Sequence, residues 1–135
     1  MRRAFPAGNT QTGTTSVTFT TRSGADLVQP SELSVTPVNG ATNVSVNATP
    51  QIVFNDPMNP ISFLNLGIGL RFTNTGVNVP VTFTFSADYK TVTMTPVNQP
   101  LSGATQYTIF YNGGNFTDTA GNTVSNPNVV NFTTQ

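Results

Sequence analysis

Apolar residues recur at every second position through most of this chain, and helical spacing is nearly absent. In VPVTFTFS, Val79, Val81, Phe83 and Phe85 fall on one face and Thr82 and Thr84 on the other. In TVTMTP, Val92 and Met94 alternate with Thr91, Thr93 and Thr95, and QYTIFY lines up Tyr107, Ile109 and Tyr111. Such alternation suits antiparallel strands with one face buried and one wet. β-Branched Thr and Val favour the same backbone. Turn-forming clusters such as PVNGATN (37–43), NDPMNP (55–60) and NQPLSG (98–103) break the runs. Their spacing of roughly 8 to 12 residues is the rhythm of a β-sandwich. The pattern predicts seven main strands, near 32–36, 43–47, 51–55, 68–73, 80–86, 91–96 and 105–111, and a closing strand near 128–134. Of these, 43–47 reads as a short bridge to the opposite sheet. After Pro60, ISFLNLG (61–67) reads as a single helical turn.

The first 29 residues follow a different plan. GNTQTGTTSVTFTT (8–21) aligns without a gap on GNTVSNPNVVNFTT (121–134), at an offset of 113. Gly8 matches Gly121, Asn9 matches Asn122, Val17 matches Val130, and Phe19-Thr20-Thr21 matches Phe132-Thr133-Thr134. TSVTFTT is a strand signal with nothing nearby to pair with, and RSGADLVQP has linker composition. Residues 1–29 therefore read as the end of a preceding repeat, with a strand near 15–21, plus a connector. Residues 30–135 read as one domain, and the chain is expected to be an excised piece of a longer array. A strand with one apolar face and free backbone groups is adhesive. Val17 and Phe19 are accordingly the candidates for self-association.

Composition narrows the chemistry. Charged residues make up 7% of the chain and balance to zero, so the basic footprint of a nucleic-acid binder is missing. Without Cys there is neither a disulfide nor a thiolate-held zinc, and without His the usual general base is gone. The 24 Thr and 16 Asn take the solvent-facing places that Lys and Glu usually hold. No apolar run approaches the length of a membrane span, so membrane insertion is not expected. The sequence calls for no cofactor.

Five motifs in order resemble the bacterial Ig-like domains of S-layer and other large surface proteins. They are TPVNGATNVSVN, IVFNDPMN, SADYKTVTMTP, LSGATQYTIF and DTAGNTVSNPNVVNFTT, which fall in order between residues 36 and 134. PAGNTQTGTTSVTFTT keeps only the tail of the last motif. The resemblance implies an all-β, seven-stranded Ig-like sandwich, extracellular and usually in tandem. It carries over no catalytic residue, because the family has none in common. The implied role is a spacer or stalk, with neighbouring repeats or identical subunits as partners. Two alternatives are a filament subunit polymerising by strand donation and an adhesin binding cell-surface glycans or a receptor.

Individual residues are weighed against structural roles. Tyr107 follows LSGATQ and is read as a tyrosine corner, its hydroxyl bonding upstream backbone while its ring fills the sandwich end. Phe54, Phe83 and Phe132 are expected in the core, and Gly121 at a positive φ. Asp118 is the candidate calcium ligand, but a calcium site wants several carboxylates and this stretch holds one. Asp26, Glu32, Asp56, Asp88 and Asp118 are too scattered to nominate a glycosidase pair. Lys90 is expected in a solvated turn. Phe63, Tyr89 and Phe116 are the rings that an adhesin surface would expose. No nucleophile motif is present, so no enzyme activity is expected.

Overall fold

The structure, a computed structural model, describes Ser16, Thr18, Phe19 and residues 24–65, 67–112, 116–125 and 128–135. The strand expected near 15–21 lies outside the described residues except at Ser16, Thr18 and Phe19, and Val17 lies outside them altogether. Phe19 is 78% exposed.

Among the described residues, nine strands form two facing sheets. They are β1 (Glu32–Thr36), β2 (Ala41–Val44), β3 (Gln51–Phe54), β4 (Ile68–Phe72), β5 (Asn78–Val79), β6 (Val81–Phe85), β7 (Thr91–Pro96), β8 (Gln106–Tyr111) and β9 (Asn128–Thr134). One sheet has the order β1-β3-β7-β6 and the other the order β2-β9-β8-β4-β5. All pairs are antiparallel except β2 with β9. A 3-10 helix, Pro60–Asn65, crosses between β3 and β4 where the helical turn is expected.

Alternation builds the core. Val92 and Met94 of β7, Tyr107 and Ile109 of β8, and Val130 and Phe132 of β9 all point between the sheets and are buried. Their neighbours Thr91, Thr93 and Thr95 stay partly wet. Phe54 is fully buried, and Phe83 packs half-buried against the same core.

Two strands differ in detail from the periodic pattern. The strand expected at 80–86 is β6, but the alternating run that begins at Val79 divides at Pro80: β5 pairs with β4, whereas β6 pairs with β7 in the other sheet. Proline brings no N–H to a ladder, so it marks the place where the chain changes sheet. The strand expected at 43–47 occupies 41–44 instead. Gly40 and Asn43 both have positive φ, and they set β2 beside β9 with Ala41 opposite Phe132 and Val44 opposite Thr134. β1 and β2 thus run one after the other along opposite sheets.

This topology gives the domain two distinct ends. β1 and β9 both begin at the leading end, where Glu32 lies beside Tyr111 and Asn128. β9 finishes at the trailing end, beside the Tyr107 corner. The chain therefore comes in at one end and leaves at the other, along strands running the same way. Seven residues of β9 span about 23 Å of that axis.

Candidate functional site

The polar side chains with the most elaborate bonding collect at the two ends of the sandwich, and all of them secure the chain. At the leading end, the loop from Asp118 to Asn122 is organised by one carboxylate. Asp118 is 1% exposed. Its Oδ1 accepts the N–H of Ala120 (2.8 Å) and of Asn122 (2.9 Å), and its Oδ2 accepts from Asn122 Nδ2 (3.0 Å). Gly121 closes the turn at φ +93°, a conformation that costs glycine little. With both oxygens engaged by donors, Asp118 works as a loop anchor. Among the described residues no three His, Cys, Asp or Glu side chains gather as a metal site would require.

Asn122 also reaches outward. Its Nδ2 donates to the backbone oxygen of Asp26 (2.8 Å), which ties the connector to the loop. Asp26 Oδ1 then accepts the N–H of Val28 (3.1 Å), and Gln29 Nε2 donates to Thr123 Oγ1 (3.4 Å). Pro30 is buried, and its oxygen accepts from the Ser125 backbone N–H (3.1 Å). The stretch read as linker from composition is therefore, from Asp26 on, attached to the domain that follows it.

A second group at this end was not legible in the sequence. The Tyr111 hydroxyl donates to Glu32 Oε2, and Asn128 Nδ2 donates to the same oxygen (2.9 Å). This joins β1 of one sheet to β8 and β9 of the other. Burial, reinforced by the Glu32 carboxylate, pushes the Tyr111 phenol above its ordinary range. Residue spacing carries no signal for a contact made across sheets 79 residues apart.

At the trailing end, the Tyr107 hydroxyl accepts the Ser102 N–H (2.9 Å), five residues upstream. Its ring lies between Phe72 (5.1 Å between centroids) and Phe132 (5.7 Å). Thr134 Oγ1 donates to Ser102 O (2.6 Å) and accepts from Thr105 N (3.0 Å), which locks the end of β9 to the same corner.

The rings nominated for an adhesin surface require correction. Phe63 and Phe116 are buried, and only Tyr89, at 46%, is exposed. The 3-10 helix folds Phe63 over the sandwich end, against Phe85 (5.0 Å) and Phe116 (4.9 Å). Phe116 in turn meets Phe54 and Tyr111 edge-on. Neither the loop at Phe116 nor the short 3-10 helix around Phe63 is long enough for a period to show which way its ring points. Lys90 is half-buried, and its backbone oxygen accepts from Phe54 N (2.8 Å). The exposed Asp88 is held below the usual carboxylate range by the Ser86 hydroxyl and then the Lys90 N–H. Among the described residues no buried polar side-chain atom lacks a partner.

Two sheets in this order, cornered by a tyrosine, define an immunoglobulin-like sandwich. The chain belongs to the bacterial Ig-like domain family, which matches residues 26–134. Domains of this family are typically non-catalytic modules. Among solved structures, the S-layer protein SbsC is 19% identical, with a TM-score of 0.57 over 78% of this chain. The chain spans 14% of that S-layer chain. PcoC, a methionine-rich copper resistance protein from Escherichia coli, is 17% identical with a TM-score of 0.60, covering 80% of this chain and all of its own. An L,D-transpeptidase from Mycobacterium smegmatis is 15% identical with a TM-score of 0.54, covering 79% of this chain and 40% of its own. Identities this low establish shared fold alone. No curated protein sequence matches the chain. No helix among the described residues is long and apolar enough to cross a membrane.

Proposed function

We propose that this chain is a non-catalytic structural link, one of a file of Ig-like repeats in a bacterial surface or secreted protein. Its partners are the repeats before and after it. The observation that carries this reading is directional: the connector is fastened at the leading end by Asn122, while β9 finishes at the trailing end. Copies joined this way line up end to end. The duplicated closing strand supports the same arrangement, since Val17 and Phe19 match Val130 and Phe132, which are buried in β9. S-layer proteins among the structural neighbours fit an extracellular setting.

The same match favours one second reading. A segment that imitates β9 is suited to replace β9 in another copy, and head-to-tail donation of that kind builds a filament rather than a closed ring. One experiment separates the readings. The full chain is extended by a second copy of residues 23–135, which keeps the repeat offset, and its shape and mass are measured by small-angle scattering and light scattering. A monomer about twice the length of one repeat supports the file. Side-by-side packing sinks it. Mass that grows with concentration, and stops growing when residues 1–22 are deleted, supports donation.

A further inference from the structure

The two ends of the sandwich differ in relief. At the trailing end the turn after β4 is closed by Gly76 N–H to Phe72 O (2.9 Å) and Phe72 N–H to Val77 O (2.9 Å). Between this turn and the start of β8 lies an open hollow of about 400 Å³ lined by Phe72, Asn74, Thr75, Val77 and Thr105. A second hollow of about 200 Å³ adjoins Phe72, with Val79, Pro100 and Leu101 in its wall. None of the side chains lining either hollow is acidic or basic.

At the leading end two apolar side chains project. Leu27 is 78% exposed and Val28 64%, two adjacent apolar side chains standing in solvent. They do not hang on a loose thread. The Asp26 turn, the Asn122 amide and buried Pro30 hold their backbone on both sides. A backbone already held in place loses little conformational freedom on docking, which favours association.

The repeat offset joins these two features. Thr134 corresponds to Thr21, and Leu27 follows Thr21 by six residues. Thr134 in turn is bonded to Thr105, which lines the larger hollow. In a following copy the equivalent Leu-Val pair would start six residues beyond the rim of the hollow, a reach of at most about 20 Å.

We infer that the hollow around Phe72 and Val77 receives the Leu27–Val28 pair of the next copy, fixing successive repeats into a stiff rod. This rests on the end-to-end reading above and adds a specific interface to it. Each repeat then carries the knob at one end and the socket at the other, a heterologous contact that propagates along the chain.

The extended polypeptide described above tests the interface by backbone amide relaxation. In the parent, amides of both repeats should report one common rotational correlation time, well above that of the 135-residue chain. Leu27→Ser in the second copy, or Val77→Ser in the first, should drop both repeats toward the single-repeat value. Val77→Ser in the second copy, whose hollow faces no repeat, should change nothing. Each substitution is also placed in the 135-residue chain, where an unchanged thermal midpoint shows that folding is intact. Independent tumbling of two folded repeats in the parent, or indifference to both substitutions, overturns the interface and leaves the file standing. A second copy that fails to fold, or that lies beside the first, overturns the file itself.

Discussion

Single residues here act mainly through polar groups that would be costly to leave unpaired. The Tyr107 hydroxyl satisfies the Ser102 N–H beneath a buried ring. Tyr107→Phe keeps the ring and orphans that donor, so the unfolding free energy should fall by about 1–3 kcal/mol in urea denaturation. Tyr111 makes a different prediction. Its phenol is raised by burial and by Glu32, so the folded state favours the neutral form. The stability from that preference is complete below the ordinary phenol value, at about pH 10, and is lost as pH climbs from there through the raised folded value. Denaturation midpoints should therefore decline above about pH 10. Tyr111→Phe should show a shallower decline over the same range, and an identical slope would remove Tyr111 as the cause. The two tyrosines also differ in how visibly the sequence announced them. Tyr107 sits in a local motif whose partner is five residues away. Tyr111 finds its partner only once two sheets have closed.

At the level of elements, period-two alternation was sufficient to place the long strands, because one-sided burial forces it. Alternation gave no warning that β5 and β6 belong to different sheets, since Val79 and Val81 keep the same rhythm across Pro80. It was equally silent about loops. Phe63 and Phe116 lie outside the alternating runs, yet together they roof the aromatic cluster at the leading end. Residues 116–125, between β8 and β9, are thereby a packed element, anchored by Phe116 inside and Asp118 at its turn. Phe116→Ala should destabilise by about 3–5 kcal/mol, the range for buried Phe truncation, measured by chemical denaturation. A loss below 1 kcal/mol, the scale of a surface change, would show that the loop merely drapes over the core.

The whole molecule carries its information in direction more than in chemistry. Charge is sparse and balanced, and the described residues gather no group of three His, Cys, Asp or Glu side chains. What distinguishes one end from the other is apolar relief and the place where the chain is tied down. The sequence hinted at this through its repeated tail, but the positions of knob and hollow depend on turns that only the assembled sheets bring together. The parallel pairing of β2 with β9 has a mechanical consequence. Drawn taut between its termini, the domain slides β1 and β2 lengthwise against β3 and β9. Ladder bonds lie across strands, so links such as Gly40 N–H to Asn131 O and Gln135 N–H to Val44 O share the load as a shear joint. They are not peeled apart one by one, and a tether of such units holds its length under tension.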